Sequence, residues 1–263
     1  MPRWPTALVT GASSGIGRAV AVQLAAEGSD LVVVARRRDR LDELAADLSG
    51  AHGVDVEVLV ADVTVPEQLA AVEERLREPG AGVAPVELLV NNAGMGAHGA
   101  FADIPLAWQD ELIRLNVLAP VRLTHAALAG MIERGRGGIL NVSSIAGRQP
   151  LPHVATYAAT KAYLSSFSHA LHEEVRHQGV TVTALLPGFT RTEFHDAAGM
   201  SRSGVPGPAW MSAEVVARAG LRAVARGRAQ CVPGLGYRVA NGVSAVTPWA
   251  ISRRVLGAVL RSV

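Results

Sequence analysis

The chain has 263 residues, 49% of them hydrophobic and 18% charged, with 25 Lys+Arg against 23 Asp+Glu and a single cysteine. That length and apolar content suit one large α/β domain, 1–263, with a well-filled core. A net charge of +2 with no dense basic patch interleaved with aromatics excludes a nucleic-acid surface. The lone Cys231 excludes an internal disulfide and fits a reducing compartment, so a cytoplasmic location is expected.

Residues 1–10 lead straight into a glycine loop with no cleavage-type region, so no signal peptide is expected. No apolar run reaches the ~18 residues of a membrane span. Ala7–Thr10 is a short β-type run. Gly11, Ala12, Ser13, Ser14, Gly15, Ile16 and Gly17 follow, then a helix from Arg18 to Glu27 with Val20, Leu24 and Ala25 on one face. Strand, glycine loop and helix in that order form the context in which glycines mark a dinucleotide site. The glycines let the backbone approach a pyrophosphate, and the amides that open the helix face its charge.

Leu31–Ala35 reads as a buried parallel strand. In NAD sites an acid at this strand's end holds the ribose 2′-hydroxyl. Here Ala35 stands in its place, followed by Arg36, Arg37 and Arg38, which favours NADP(H) over NAD(H). Arg36 is the chief candidate for the 2′-phosphate. For Arg37 a phosphate role and a strand-capping role both stand, and Arg38 is expected to face solvent. A helix over 41–48 and a strand over 56–61 come next, ending at Asp62 and Val63. Asp62 reads either as an acceptor for the adenine amino group or as a helix cap before Pro66, in competition with Thr64.

A fourth strand, 86–90, precedes Asn91-Asn92-Ala93-Gly94. The amides there can pin neighbouring backbone while Ala93 and Gly94 admit a cofactor. A long helix over 106–134 carries Asn116, a fifth strand over 139–142 ends at Ser143-Ser144, and a helix ending near 178 carries Tyr157. A sixth strand over 180–186 is closed by Pro187-Gly188, and 198–208 reads as a loop. The alternation of strands and helices predicts a single doubly wound Rossmann-type domain. Its parallel sheet has about seven strands, with helices on both faces.

Tyr157 and Lys161 are four apart on a helix and share a face. A free phenol, pKa ~10, is a poor acid or base near neutrality. An ammonium about 4 Å away stabilises its phenolate by roughly 4 kcal/mol at an effective dielectric of ~20, about three pKa units before desolvation is subtracted. Lys161 is also the only lysine in the chain, where every other cation is arginine. Arginine cannot supply a compact, titratable charge. Ser144, thirteen residues before Tyr157, can bring a hydroxyl to the same place.

Taken together, Thr10–Gly17, Asp62, Asn91–Gly94, Asn116, Ser144, Tyr157, Lys161 and Pro187-Gly188 resemble the short-chain dehydrogenase/reductase family, in its short single-domain branch, over most of the chain. The resemblance implies hydride exchange between a nicotinamide cofactor and a small-molecule carbonyl or alcohol. Tyr157 would be the general acid in reduction and the base in oxidation. Lys161 would lower its pKa and hold the nicotinamide ribose, and Ser144 would bond the substrate oxygen. Asn116 would distort its helix and anchor a proton-relaying water. Thr190 and Thr192 would steady the carboxamide, and Ser143 would be structural. A departure from many NADP-preferring relatives is Ser14, which stands where they carry a basic residue. Ser13 or Ser14 would then assist Arg36.

Residues 189–212, with Met95, Leu151 and His153, are expected to set substrate choice, and their apolar bias points to a hydrophobic carbonyl compound. His153 reads either as a pocket residue or as loop packing. His169, His172 and His177 lack a ligand-grade motif, so no metal is expected. Two readings of the 235–263 extension stand: a helix packed on the core or a second subunit, which is favoured, and a basic amphipathic helix on a membrane surface. A homodimer or homotetramer is expected. A non-catalytic dinucleotide sensor and an NAD-dependent alcohol dehydrogenase are the alternatives in function.

Overall fold

A computed structural model describes residues 2–77, 80, 82–199 and 206–246. In chain order, β1 (Thr6–Thr10) leads to α1 (Gly15–Ala26), β2 (Asp30–Ala35) to α2 (Arg38–His52), and β3 (Val56–Val60) to α3 (Pro66–Arg77). Then come β4 (Leu88–Asn91), α4 (Leu106–Ile113), a π-helical turn (Arg114–Leu118) and α5 (Ala119–Glu133). β5 (Gly137–Val142), α6 (Ala155–Val175) and β6 (Val180–Leu185) follow. β7 (Thr190–Arg191), α7 (Phe194–Ala197), β8 (Met211–Ser212), α8 (Ala213–Ala225), β9 (Gln230–Cys231) and α9 (Leu235–Val246) complete the described elements.

Seven strands form one sheet in the order β3-β2-β1-β4-β5-β6-β9, all parallel. The order reverses between β1 and β4, which pair from Ala7–Leu88 to Val9–Val90. A parallel sheet with such a switch point binds ligands at the strands' carboxyl ends beside it. The seventh strand is only Gln230–Cys231, too short to register as a periodic run in the sequence. β7 and β8 make a separate two-stranded ladder.

Both faces of the sheet are covered, so successive strand residues feed two cores. Ala7, Val9, Leu31, Val33, Leu88 and Val90 pack with α1, α2 and α8. Leu8, Val32, Val34, Leu89 and Ile139 pack with α3, α5 and the end of α6. This is why these strands read as continuous apolar runs rather than as alternating ones.

The helical stretch Leu106–Glu133 is long and apolar enough, at hydropathy 1.3, to cross a membrane by length and composition, contrary to the expectation that no run qualifies. In this fold its positions Leu123, Ala127 and Met131 lie in the second core, so the same apolar content serves packing. Of the 235–263 extension, only the part up to Val246 is described. Trp249, Ile251, Val255, Leu256 and Val259, on which the amphipathic readings rest, lie outside the described residues.

Candidate active site

The glycine loop links β1 to α1 at the switch point. Gly17 permits its closest contact: a Cβ there would lie 2.3 Å from the Gly11 carbonyl oxygen and 2.4 Å from Asn92 Nδ2. Asn92 holds the turn from below, donating to the Thr10 and Gly11 carbonyls at 2.9 and 3.3 Å. Thr10 Oγ1 accepts from the amides of Asn92 and Ala93 at 3.0 and 3.1 Å and donates to Val90 at 3.2 Å. The sequence shows Thr10 at the head of the glycine motif but gives no sign of these bonds to the Asn92-Ala93 turn. Gly15 opens α1, and Ser14 caps it with no side-chain hydrogen bond. The first amides of α1 are thus left facing the crevice, with Ile16 packed against the core behind them. An uncapped helix start behind a loop that tolerates no Cβ at Gly17 fits a dinucleotide pyrophosphate.

The arginines divide differently from the expectation. Arg37, not Arg36, reaches the glycine loop: its Nη2 and Nε lie 3.0 and 3.3 Å from Ser13 Oγ. Arg36 turns the other way, with Nη1 3.5 Å from Asp62 Oδ2 and 4.0 Å from Glu111. Asp62 itself caps the next turn, its Oδ1 accepting from the amide and the hydroxyl of Thr64 at 2.9 and 2.6 Å. Burial works to raise the Asp62 pKa, but the Thr64 hydrogen bonds and Arg36 outweigh it and hold the carboxyl below the usual range. Val63 is buried in the second core.

At the ends of β4 and β5 the polar groups converge. Asn116 sits in the π-helical turn, 1% exposed. It clamps Met95 from both sides, accepting from its amide at 3.1 Å and donating to its carbonyl at 2.9 Å. Its Nδ2 also donates to Thr160 Oγ1 at 3.2 Å, and that hydroxyl donates to the Tyr157 carbonyl at 2.8 Å. Thr160 is therefore a positioning residue that sequence reasoning missed, one place from Lys161. Gly94 leaves the gap between these groups: a Cβ there would lie 3.2 Å from Asn116 Oδ1 and 3.4 Å from Lys161 Nζ.

Lys161 is 4% exposed, and its Nζ donates to the Val142 carbonyl at 2.9 Å. Burial lowers its pKa to about 8. Nζ lies 5.8 Å from the centroid of the Tyr157 ring. Tyr157 is part-buried at the crevice, and burial pushes its phenol up to about 12, opposed only by a hydrogen bond to Ser144. The expected depression of the phenol by Lys161 is thus absent. The ammonium is drawn to Val142, and desolvation weighs on both groups. Ser144 is held by the Ala146 amide at 3.1 Å. Ser143 donates to the Lys161 carbonyl at 2.7 Å and pairs with Ser165, a structural role.

The far wall comes from the segment after β6. Pro187 accepts from the Ile145 amide at 3.1 Å. Gly188 leaves space for the ring of Tyr237, whose atoms would lie 2.2 Å from a Cβ. Tyr237, on α9, accepts from the Phe189 amide at 3.1 Å and donates to the Ala209 carbonyl at 2.6 Å, so it ties these two positions after β6 together. Thr190 donates to Gly188 at 2.9 Å. Thr192 packs against Gly15, 3.0 Å from where a Cβ would be, and so sits over the glycine loop. Phe194 packs against Tyr157 with its ring tilted by 45° and the centroids 5.6 Å apart. A small recess beside Tyr157 is lined by His153, Phe101, Ile104, Leu112 and Tyr157 itself. His153 holds φ 66, its carbonyl accepts from Gly99 at 2.9 Å, and its ring lies 5.9 Å from His98, so it both lines the pocket and packs the loop. His172 is bonded to the Val182 carbonyl at 2.8 Å. Among the described residues no three His, Cys, Asp or Glu side chains converge as metal ligands.

Comparison with known proteins agrees with this geometry. Residues 5–202 match the family model described as short chain dehydrogenase. A short-chain dehydrogenase from Sphingobium yanoikuyae, solved in complex with NADPH, is 37% identical with a TM-score of 0.83, over 98% of this chain and 96% of that one. A bulky-bulky ketone specific alcohol dehydrogenase from Comamonas testosteroni is 35% identical with a TM-score of 0.78, over 94% and 96%. A very-long-chain 3-oxoacyl-CoA reductase from Anas platyrhynchos is 36% identical over 193 residues, 71% of this chain. The match spans 60% of that reductase's length. With the family model covering most of its length and relatives above 30% identity on both counts, this chain belongs to the short-chain dehydrogenase family.

Proposed function

We propose that the protein is an NADP(H)-dependent oxidoreductase that interconverts a hydrophobic carbonyl compound and its alcohol. The observation that carries this reading is the convergence of Asn116, Ser144, Tyr157 and Lys161 on the crevice beside the uncapped start of α1. The amides of α1 would hold the pyrophosphate, and Arg37 with Ser13 would take the 2′-phosphate. Lys161 would hold the nicotinamide ribose, and Thr190 would steady the carboxamide. When bound, the nicotinamide supplies or accepts hydride.

Ser144 donates its hydroxyl proton toward the substrate oxygen and fixes it against Tyr157. In reduction Tyr157 delivers its proton to that oxygen; in oxidation it removes one. A phenol at about 12 is a weak acid, so the step relies on the charge that develops on the oxygen in the transition state and on the nearby Lys161 ammonium. Asn116 and Thr160 hold the backbone around both groups.

The aromatic wall of Phe194, Phe189 and Trp210 supports a hydrophobic substrate, as do relatives whose names specify ketones and 3-oxoacyl-CoA. The exposed apolar residues Leu106, Ile113, Leu118 and Tyr163 support a homo-oligomer built on the long helices. Absorbance of NADPH and NADH should be followed with purified protein across ketones of increasing bulk and 3-oxoacyl thioesters. Oxidation of NADPH with at least one bulky ketone is expected. Binding of NADPH without turnover on any carbonyl would favour a dinucleotide sensor.

A further inference from the structure

Glu193 lies just past β7, and no motif of the sequence assigned it. Its Oε2 lies 3.0 Å from Arg37 Nη1 and its Oε1 lies 2.7 Å from Arg40 Nη1. These contacts span 156 and 153 residues of sequence. The same Arg37 bonds Ser13 of the glycine loop through its other nitrogens. The carboxylate therefore sits between two guanidinium groups at the edge of the dinucleotide loop. It borders a cleft of about 750 Å³ that Ser13, Ser14, Arg18, Arg40 and Arg191 also line.

We infer that Glu193 is a cofactor-specificity residue: its carboxylate holds the place of the 2′-phosphate between Arg37 and Arg40, and the phosphate must displace it. This rests on the NADP(H) reading above. Carboxylate and phosphate are the two anions that guanidinium forks bind best. A 2′-phosphate carries close to two charges and three acceptor oxygens against one charge and two oxygens, so it wins the exchange. The exchange still costs the two ion pairs, and Glu193 thereby tempers the preference for the phosphorylated cofactor. A cofactor without the phosphate leaves the carboxylate in place. Glu193 also adjoins Phe194, whose ring packs tilted against that of Tyr157, so its release loosens the segment beside the phenol.

The test is calorimetric titration of adenosine 2′,5′-bisphosphate, AMP, NADPH and NADH into wild type, Glu193→Gln and Glu193→Ala. Thermal melting checks that the variants fold. Both variants should bind adenosine 2′,5′-bisphosphate and NADPH about fivefold more tightly, a modest factor because both pairs are exposed. AMP and NADH should be unchanged. Wild-type preference for the phosphorylated ligands with no gain in either variant would overturn the role of Glu193 alone. A selective loss of NADH affinity would overturn it too, making Glu193 an acceptor for the ribose hydroxyl. Equal wild-type affinity for AMP and adenosine 2′,5′-bisphosphate would remove the NADP(H) reading itself and this inference with it.

Discussion

Lys161 gives its proton donor to the Val142 carbonyl at 2.9 Å, where it hangs 5.8 Å from the centroid of the Tyr157 ring. Two ionisable groups thus share one desolvated crevice, each displaced by burial toward its neutral form, the phenol up to about 12 and the ammonium down to about 8.

Because Lys161 is the only lysine, amine-selective reagents meet just one side-chain amine in the chain. Its rate of labelling should rise with a midpoint near pH 8, and NADPH should protect it. Mass spectrometry of the labelled peptide across pH reads both. A midpoint near 10.5 without protection would place the amine in solvent rather than in the crevice.

The lowered lysine pKa is also a statement about stability. The unfolded chain binds the proton more tightly, so the native state is penalised fully below pH 8 and is relieved as pH rises toward 10.5. The gap between 10.5 and about 8 is worth about 3 kcal/mol. Lys161→Met removes that penalty but leaves the Val142 carbonyl without its donor, at a cost of about 1–2 kcal/mol. A net gain of about 1–2 kcal/mol is expected in urea melts at pH 7, turning into a net loss of about 1–2 kcal/mol above pH 10.5, where only the lost hydrogen bond remains. Tyr157 does not blur the pH 7 comparison, since its raised pKa affects stability only as pH rises through 10 to about 12, where it acts on wild type and variant alike. A loss of stability at pH 7 would mean that the ammonium is not desolvated.

Gly17→Ala should destabilise the fold by about 2 kcal/mol and abolish NADPH binding, because its Cβ would press on the Gly11 carbonyl oxygen and displace Asn92. Cofactor fluorescence and a thermal melt read the two effects. Unchanged binding would mean that the loop does not hold the dinucleotide.

Gly188→Ala puts a Cβ into the ring of Tyr237, which cannot retreat while its hydroxyl is held by Phe189 and Ala209. The substrate segment should shift, raising KM more than it lowers kcat. Tyr237→Phe should do the same more weakly, since it removes only the hydroxyl tie, worth about 1 kcal/mol. An effect of either change on kcat alone would argue that this segment does not shape the substrate site.

The parts of this architecture that depend on local spacing were legible in the sequence. The strands announce themselves because both faces of the sheet are buried, the loop because its glycines follow a strand, and the Tyr157–Lys161 pair because four residues make one helical turn. What escaped depends on distance in sequence or on competition for one donor. Nothing near Arg37 shows that Glu193 and Ser13 will share its guanidinium, and nothing near Arg36 shows that Asp62 will draw it aside. The pull of Val142 on Lys161 comes from a strand-end carbonyl, which carries no side-chain signal. Tyr237 carries no local signal, because its partners lie 48 and 28 residues away.

The most direct test of the whole account is the rate of NADPH oxidation with a bulky ketone by wild type and by Tyr157→Phe, measured alongside NADPH affinity. The phenol as proton donor predicts a fall of roughly 10²- to 10⁴-fold in turnover with far smaller change in binding. Equal turnover by the two proteins would contradict it.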